Sequence, residues 1–277
     1  MKDDGLRRFL FVDKQIRGAH VQMAGAVKEI MQQHHYPPVI YTALAQCLVA
    51  STLLVTRLKF KGTLTLQLES GGTINLLVAK CNEKLEVRGM ARWEDIADQQ
   101  QLAVDFYSGR LVVTISPDNS SSQYQSIVDL GSGSLSRALE DYFLQSEQLP
   151  TVIIIDVSKR AANGLLLQRM PDADMDNLFW NESKKRLEAI EEDLSENTER
   201  LLKLYFSEED IQLFESEFVE FACHCGFDKV ENAVLSMGKA EADSILAEKP
   251  VIAITCEYCN QEYTLDRGQV DKLFYKS

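Results

Sequence analysis

Two stretches decide how this chain is read: Val219-Glu220-Phe221-Ala222-Cys223-His224-Cys225 and Val251-Ile252-Ala253-Ile254-Thr255-Cys256-Glu257-Tyr258-Cys259. Each runs from an apolar strand into a close cysteine pair, and residues 226–255 lie between the pairs. In extended chain a Cys-x-Cys puts both sulfurs on one face, because side chains alternate with period two. A Cys-x-x-Cys turn offers both sulfurs to one ion. Together the four can close a tetrahedral thiolate site, a geometry that zinc accepts readily. Four cysteines fill such a site and leave no open position for a substrate, which argues against catalytic zinc. Three readings stay open: a structural staple, a ribbon that binds a partner, or a thiolate cluster that senses oxidants.

The surrounding module, residues 219–277, is small. Asp228-Lys229-Val230-Glu231 reads as a capping box for a helix lined by Val230, Ala233, Val234 and Met237, with Gly238 as its stop. Asp266 and Gln269 suggest a further cap before Val270, Leu273 and Phe274. Just upstream, Ile211, Phe214 and Phe218 read as a helical face. A unit of this size buries little apolar area, whereas structural zinc contributes on the order of 10–16 kcal/mol in small peptides. The module is therefore expected to depend on its metal.

Residues 176–218 read as a helical, charged linker. Leu187, Ile190, Leu194 and Leu201 form a narrow stripe amid Glu182, Glu188, Glu191, Glu192, Asp193, Glu196, Glu199, Lys184, Lys185, Arg186 and Arg200. It is either an ordinary surface helix or a segment that stays helical only while something holds it, since short isolated helices are marginal in water.

Residues 1–175 read as a sheet-rich α+β domain with packed helices. Strands are expected at Phe9–Val12, Arg17–Val21, Leu64–Leu68, Ile74–Val78, Leu85–Met90, Leu111–Ile115, Ser126–Leu130, Thr151–Val157 and Leu165–Gln168. Helices are expected near Ala24–Gln33, through the uncharged run from Pro37 to Thr56, and from Ser134 to Ser146, with Pro171 and Asp172 ending the domain. Thr42, Gln46, Ser51 and Thr52 interrupt the uncharged run, which suits a buried helix better than a membrane span.

A formal charge of −13 repels phosphate backbones and anionic membranes, so neither nucleic acid nor membrane is expected as a partner. Acidic residues at Asp3 and Asp4 do not suit a signal peptide, and clustered cysteines suit a reducing, cytoplasmic compartment. A conventional active site is hard to assemble. His34 and His35 follow a helix end and read as C-terminal caps, and His224 as a bystander between ligands. Gly131-Ser132-Gly133-Ser134 lacks the Lys-Ser/Thr of a phosphate loop and reads as helix capping. Cys47 and Cys81 read as buried and inert.

The cysteine spacing, Arg17-Gly18, Leu58-Lys59-Phe60-Lys61-Gly62, Leu66-Gln67, Tyr142 to Gln148, Gly164 to Gln168 and Cys256 to Asn260 together resemble the 33 kDa chaperonin (heat shock protein 33) family. The resemblance spans essentially the whole chain. Gly226-Phe227-Asp228 and Leu204-Tyr205-Phe206 depart from the family's usual residues. The resemblance implies a redox-regulated, ATP-independent holdase and not an enzyme. One zinc per chain would be held by Cys223, Cys225, Cys256 and Cys259 in the reduced, inactive form. Oxidants would convert these to Cys223–Cys225 and Cys256–Cys259 disulfides, release the metal and free the linker. Unfolding client proteins and a homodimer of the oxidised form are the implied partners. Two competing readings are a constitutive zinc-ribbon interaction protein and a thiol–disulfide oxidoreductase using Cys256 and Cys259. No thioredoxin-like strand–motif–helix order supports the second.

Overall fold

The computed structural model describes residues 4–57, 61–94, 109–119, 122–131, 133–171, 177–190 and 193–275. Met1-Lys2-Asp3, Leu58-Lys59-Phe60, Ser132, Asp172, Asp176, Glu191 and Glu192 lie outside the described residues. The chain forms two compact units, Met1–Ala222 and Cys223–Ser277.

The first unit begins with the hairpin β1 (Gly5–Phe11) and β2 (Ile16–Met23), followed by α1 (Gly25–Gln32) and α2 (Pro38–Val55). Strands β3 (Gly62–Glu69), β4 (Ile74–Asn82), β5 (Glu86–Trp93), β6 (Arg110–Pro117) and β7 (Tyr124–Asp129) come next, then α3 (Leu135–Ser146). The unit closes with β8 (Thr151–Val157), β9 (Ala162–Arg169), α4 (Asn177–Ile190), α5 (Thr198–Tyr205), β10 (Ile211–Phe218) and β11 (Glu220–Phe221). The second unit holds α6 (Phe227–Met237), α7 (Lys239–Glu248), β12 (Val251–Thr255), β13 (Glu262–Asp266) and α8 (Arg267–Tyr275).

Among the described residues, two sheets build the first unit. One is antiparallel, in the order β10-β1-β2-β9-β8, and the other runs β11-β5-β4-β3-β6-β7 with only β11 parallel to its neighbour. Alternation in β3 is clean, with Leu64, Leu66 and Leu68 buried and Thr65 and Gln67 less so. Helix α2 packs against both sheets, which is why it carries no charge. A Cβ on Gly164 of β9 would lie 2.3 Å from Val49 Cγ1, and one on Gly89 of β5 would lie 3.0 Å from Leu44 Cδ1. These two glycines let the helix approach each sheet closely. Among the described residues α2 is the one helix long and apolar enough to cross a membrane, and 72% of it is buried inside the protein.

Several local expectations are corrected. Ile211, Phe214 and Phe218 belong to strand β10, paired with the otherwise free edge of β1, and not to a helix. Their i, i+3, i+7 spacing is incidental. Ile211 and Leu213 turn inward with period two, while Phe214 and Phe218 remain exposed. Helix α6 starts one residue before the expected capping box, with extended Gly226 at the N-cap and no side-chain cap. Asp228 therefore sits in the first turn and cannot cap. Gly238, at φ 89°, does stop α6, but α7 starts directly after it. Asp266 and Gln269 form the reciprocal capping box, Gln269 N to Asp266 Oδ1 at 2.8 Å and Asp266 N to Gln269 Oε1 at 2.9 Å. Helix α1 is closed by Gln33, whose N–H reaches Ile30 O, and not by the histidines. His34 tilts against the Tyr36 ring, and His35 takes φ 49° beyond the helix.

Candidate metal centre and docked linker

The second cysteine pair sits at the tip of the β12–β13 hairpin. Cys256 N donates to Gln261 O at 2.9 Å and Asn260 N donates to Cys256 O at 2.8 Å, closing the turn that left-handed Asn260 (φ 55°) permits. Cys223 and Cys225 lie on irregular chain before α6. The four Sγ atoms all fall within 4.8 Å of one another. Cys223 Sγ lies 3.6 Å from Cys256 Sγ, and Cys225 Sγ 3.3 Å from Cys259 Sγ. Zn–S bonds of about 2.3 Å in a tetrahedron place sulfurs roughly 3.8 Å apart, so both donor set and spacing fit a metal of that kind. None of the four is bridged. His224 joins neither pair of sulfurs, and its carbonyl accepts from Lys229 Nζ.

As thiols the four are not equivalent. A hydrogen bond from Tyr263 Oη to Cys225 Sγ, 3.1 Å long, brings the Cys225 thiol down to about 7. Desolvation raises Cys223 and Cys259 instead. Cys47 and Cys81 are fully enclosed, and burial pushes both up to about 12, which keeps them as inert thiols. Around the cluster the core is slight: Val230, Val234, Ala242, Leu246, Ile252, Leu265 and Val270.

Within the first unit, the five-stranded sheet has two different faces. Residues such as Ala19, Val21 and Leu166 face α2, whereas Phe9, Phe11, Ile16, Leu165 and Leu167 face α4 and α5. The charged linker is thus docked: Leu187, Ile190, Leu194 and Leu201 are all 2% exposed or less. Phe179, Trp180, Leu202 and Phe206 join them. Phe11 is the hub, meeting Phe9, Phe179 and Phe206 edge-on at centroid distances of 5.8, 5.6 and 5.0 Å. Cations seal the rim, with Lys14 over Phe179, Lys184 over Trp180 and Arg186 over Phe206.

Polar contacts fix the register of the dock. Buried His20 of β2 places Nδ1 3.0 Å from Thr198 Oγ1 and Nε2 3.1 Å from Leu194 O. Gln22 Nε2 donates to Ser195 O at 2.8 Å, and Asn197 caps α5 by accepting from Arg200 N. Gly18 makes room for the floor, because the Phe9 ring lies over it in the β1–β2 register.

The family model described as Hsp33 protein matches residues 4–266. The chain belongs to the Hsp33 family. The 33 kDa chaperonin of Nitrosococcus oceani is 37% identical over 98% of this chain and 94% of its own. Those of Chromobacterium violaceum and Shewanella loihica are 36% and 37% identical, over 98% and 99% of this chain and 94% and 96% of their own. In fold, the chain is similar to the crystal structure of the Thermotoga maritima 33 kDa chaperonin (heat shock protein 33 homolog). The TM-score is 0.84, with 98% of each chain covered at 22% identity. Hsp33 membership places the chain in a chaperone family that is not enzymatic.

The sequence points to the four sulfurs that this Hsp33-family chain brings together, but not to Tyr263 as the donor to one of them, nor to His20 and Gly18 as parts of the linker's dock. Tyr263 had a usable signal, lying on β13 two pairs from the hairpin tip. His20 had none, because its partners Leu194 and Thr198 are remote in sequence.

Proposed function

We propose that this chain is a redox-switched, ATP-independent holdase that keeps unfolding proteins from aggregating in the oxidatively stressed cytoplasm. In the reduced, inactive form Cys223, Cys225, Cys256 and Cys259 hold one zinc as thiolates. The observation that carries this reading is the convergence of four free sulfurs, in a module with almost no core, on a chain whose amphipathic linker covers an aromatic sheet face.

Zinc supplies most of the cohesion of the second unit. Peroxide oxidises one thiolate to a sulfenic acid with release of hydroxide. A second thiolate then attacks that sulfur, expelling another hydroxide and closing the disulfide. Two electrons leave the two sulfurs and both go to the peroxide O–O bond. In the folded cluster the nearest sulfurs belong to different pairs. Once the module loosens, the shortest loops are Cys223–Cys225 and Cys256–Cys259, and these are the bridges we assign to the oxidised form.

Residues 1–175 serve as the client-binding and dimerising domain, 176–218 as the linker, and 219–277 as the sensor. Loss of the metal destabilises the sensor, to which β10 is directly joined in sequence, and the linker leaves its sheet. Its helices are 14 and 8 residues long, too short to persist undocked. Phe9, Phe11, Ile16, Leu165 and Leu167 then become available to apolar segments of clients, and the oxidised chains pair as homodimers. Peroxide with mild heat is expected to release one zinc per chain and to suppress aggregation of a denatured client. Equal suppression by the reduced, zinc-loaded protein would refute the switch.

A further inference from the structure

Tyr263 stands on β13 opposite Ile254 and donates its hydroxyl to Cys225 Sγ at 3.1 Å. Phe227, the first residue of α6, braces the phenol edge-on, with centroids 5.3 Å apart and planes at 82°. Phe227 is 51% exposed, so its ring adds little to the module's core, and its clearest contact is with Tyr263.

We propose that Tyr263 is a positioning residue for the switch, whose hydrogen bond shields the Cys225 sulfur from oxidants and so makes the four ligands unequal. This rests on the reading above, in which the cluster binds zinc and is oxidised. The physical basis is charge withdrawal. An O–H donor draws on the same sulfur lone pairs that attack peroxide, and outer-shell donors of this kind tune metal ligands generally. Attack forms an S–O bond and breaks the O–O bond. The leaving hydroxide takes the electron pair, and a sulfur already sharing its lone pair gives it up more slowly.

Tyr263→Phe removes only the hydroxyl and keeps the ring against Phe227. The test follows each cysteine of the zinc-loaded protein through a peroxide time course by isotope-coded alkylation and peptide mass spectrometry, with released zinc read by a chromogenic chelator. Cys225 is expected to react severalfold faster relative to Cys256 in the variant. A more acidic phenol, fluorotyrosine at position 263, keeps the shape and is expected to shift that ratio the opposite way. A merely structural role would move neither ratio in this graded fashion. An unchanged Cys225-to-Cys256 ratio in both variants overturns the inference while leaving the switch intact, provided that the unaltered protein still releases zinc on oxidation. If the unaltered protein binds no zinc or forms no disulfide, the functional reading and this inference fall together. Should Tyr263→Phe lose its metal before oxidation, the fluorotyrosine ratio alone decides.

Discussion

Placing a single methyl group under the docked linker should loosen it while the metal cluster stays reduced. A Cβ on Gly18 would lie 2.2 Å from Phe9 Cζ, 2.3 Å from Phe9 Cε2 and 2.8 Å from Leu167 Cδ2. Phe9 is only 1% exposed, so its ring cannot swing into solvent and must press on Phe11, the hub under α4 and α5. Overpacking of this kind costs about 1–3 kcal/mol, and about 2 kcal/mol raises the undocked fraction roughly 30-fold. Gly164→Ala is the matched control. Its Cβ would lie 2.3 Å from Val49 Cγ1, crowding α2 on the opposite face of the same sheet. Limited proteolysis of reduced, zinc-loaded protein, under conditions where cleavage tracks the open population, should cut the 177–206 region of Gly18→Ala tens of times faster. Gly164→Ala should lower the melting temperature without that selective cleavage. Linker cleavage at the unaltered rate in Gly18→Ala, or equal cleavage in the two variants, would refute the reasoning.

Other consequences follow from the same contacts. The chain has two tryptophans, Trp93 and Trp180, and Trp180 lies buried in the dock, so a Trp93→Phe variant should show red-shifted emission on oxidation and recover on reduction with zinc. His20→Leu removes the ring that meets Leu194 O and Thr198 Oγ1 and should cost about 1–3 kcal/mol, read as faster amide exchange in α5 with little change in β3 and β4. Stripping the metal with a strong chelator, or Cys256→Ser, should abolish the structure of α6, α7, β12, β13 and α8, whose core is so slight. In the same sample the two sheets of the first unit should keep their circular dichroism.

How much of this was legible beforehand depends on how local the signal is. The expected bounds of β8 match the structure to the residue and those of β3 nearly so, because β-branched or alternating leucine runs bounded by turns encode themselves. The convergence of the four cysteines is legible because the spacing within each pair is a local geometric constraint. Strand β10 reads as a helix in sequence because eight residues with Phe214 and Phe218 on a helical spacing cannot announce that the edge of β1, some 200 positions earlier, awaits a partner. Helix α7 is hidden behind Gly238, where one residue at positive φ both stops a helix and allows the next. The linker's charge pattern was equally compatible with a free surface helix. What decides for docking is the apolar face assembled from Phe9, Phe11 and Leu165, three side chains brought together only by the β1-β2-β9 pairing.

The most direct test of the account follows zinc, thiols, linker and chaperone activity in one oxidation time course. Peroxide at mildly raised temperature would be added to the reduced Trp93→Phe protein, with released zinc, free thiols, Trp180 emission and client light scattering recorded together. The account predicts loss of one zinc and four thiols per chain, with Trp180 exposure and client protection rising as the metal leaves and reversing on reduction with zinc. Client protection at full strength while the zinc is still bound and Trp180 still buried would contradict it.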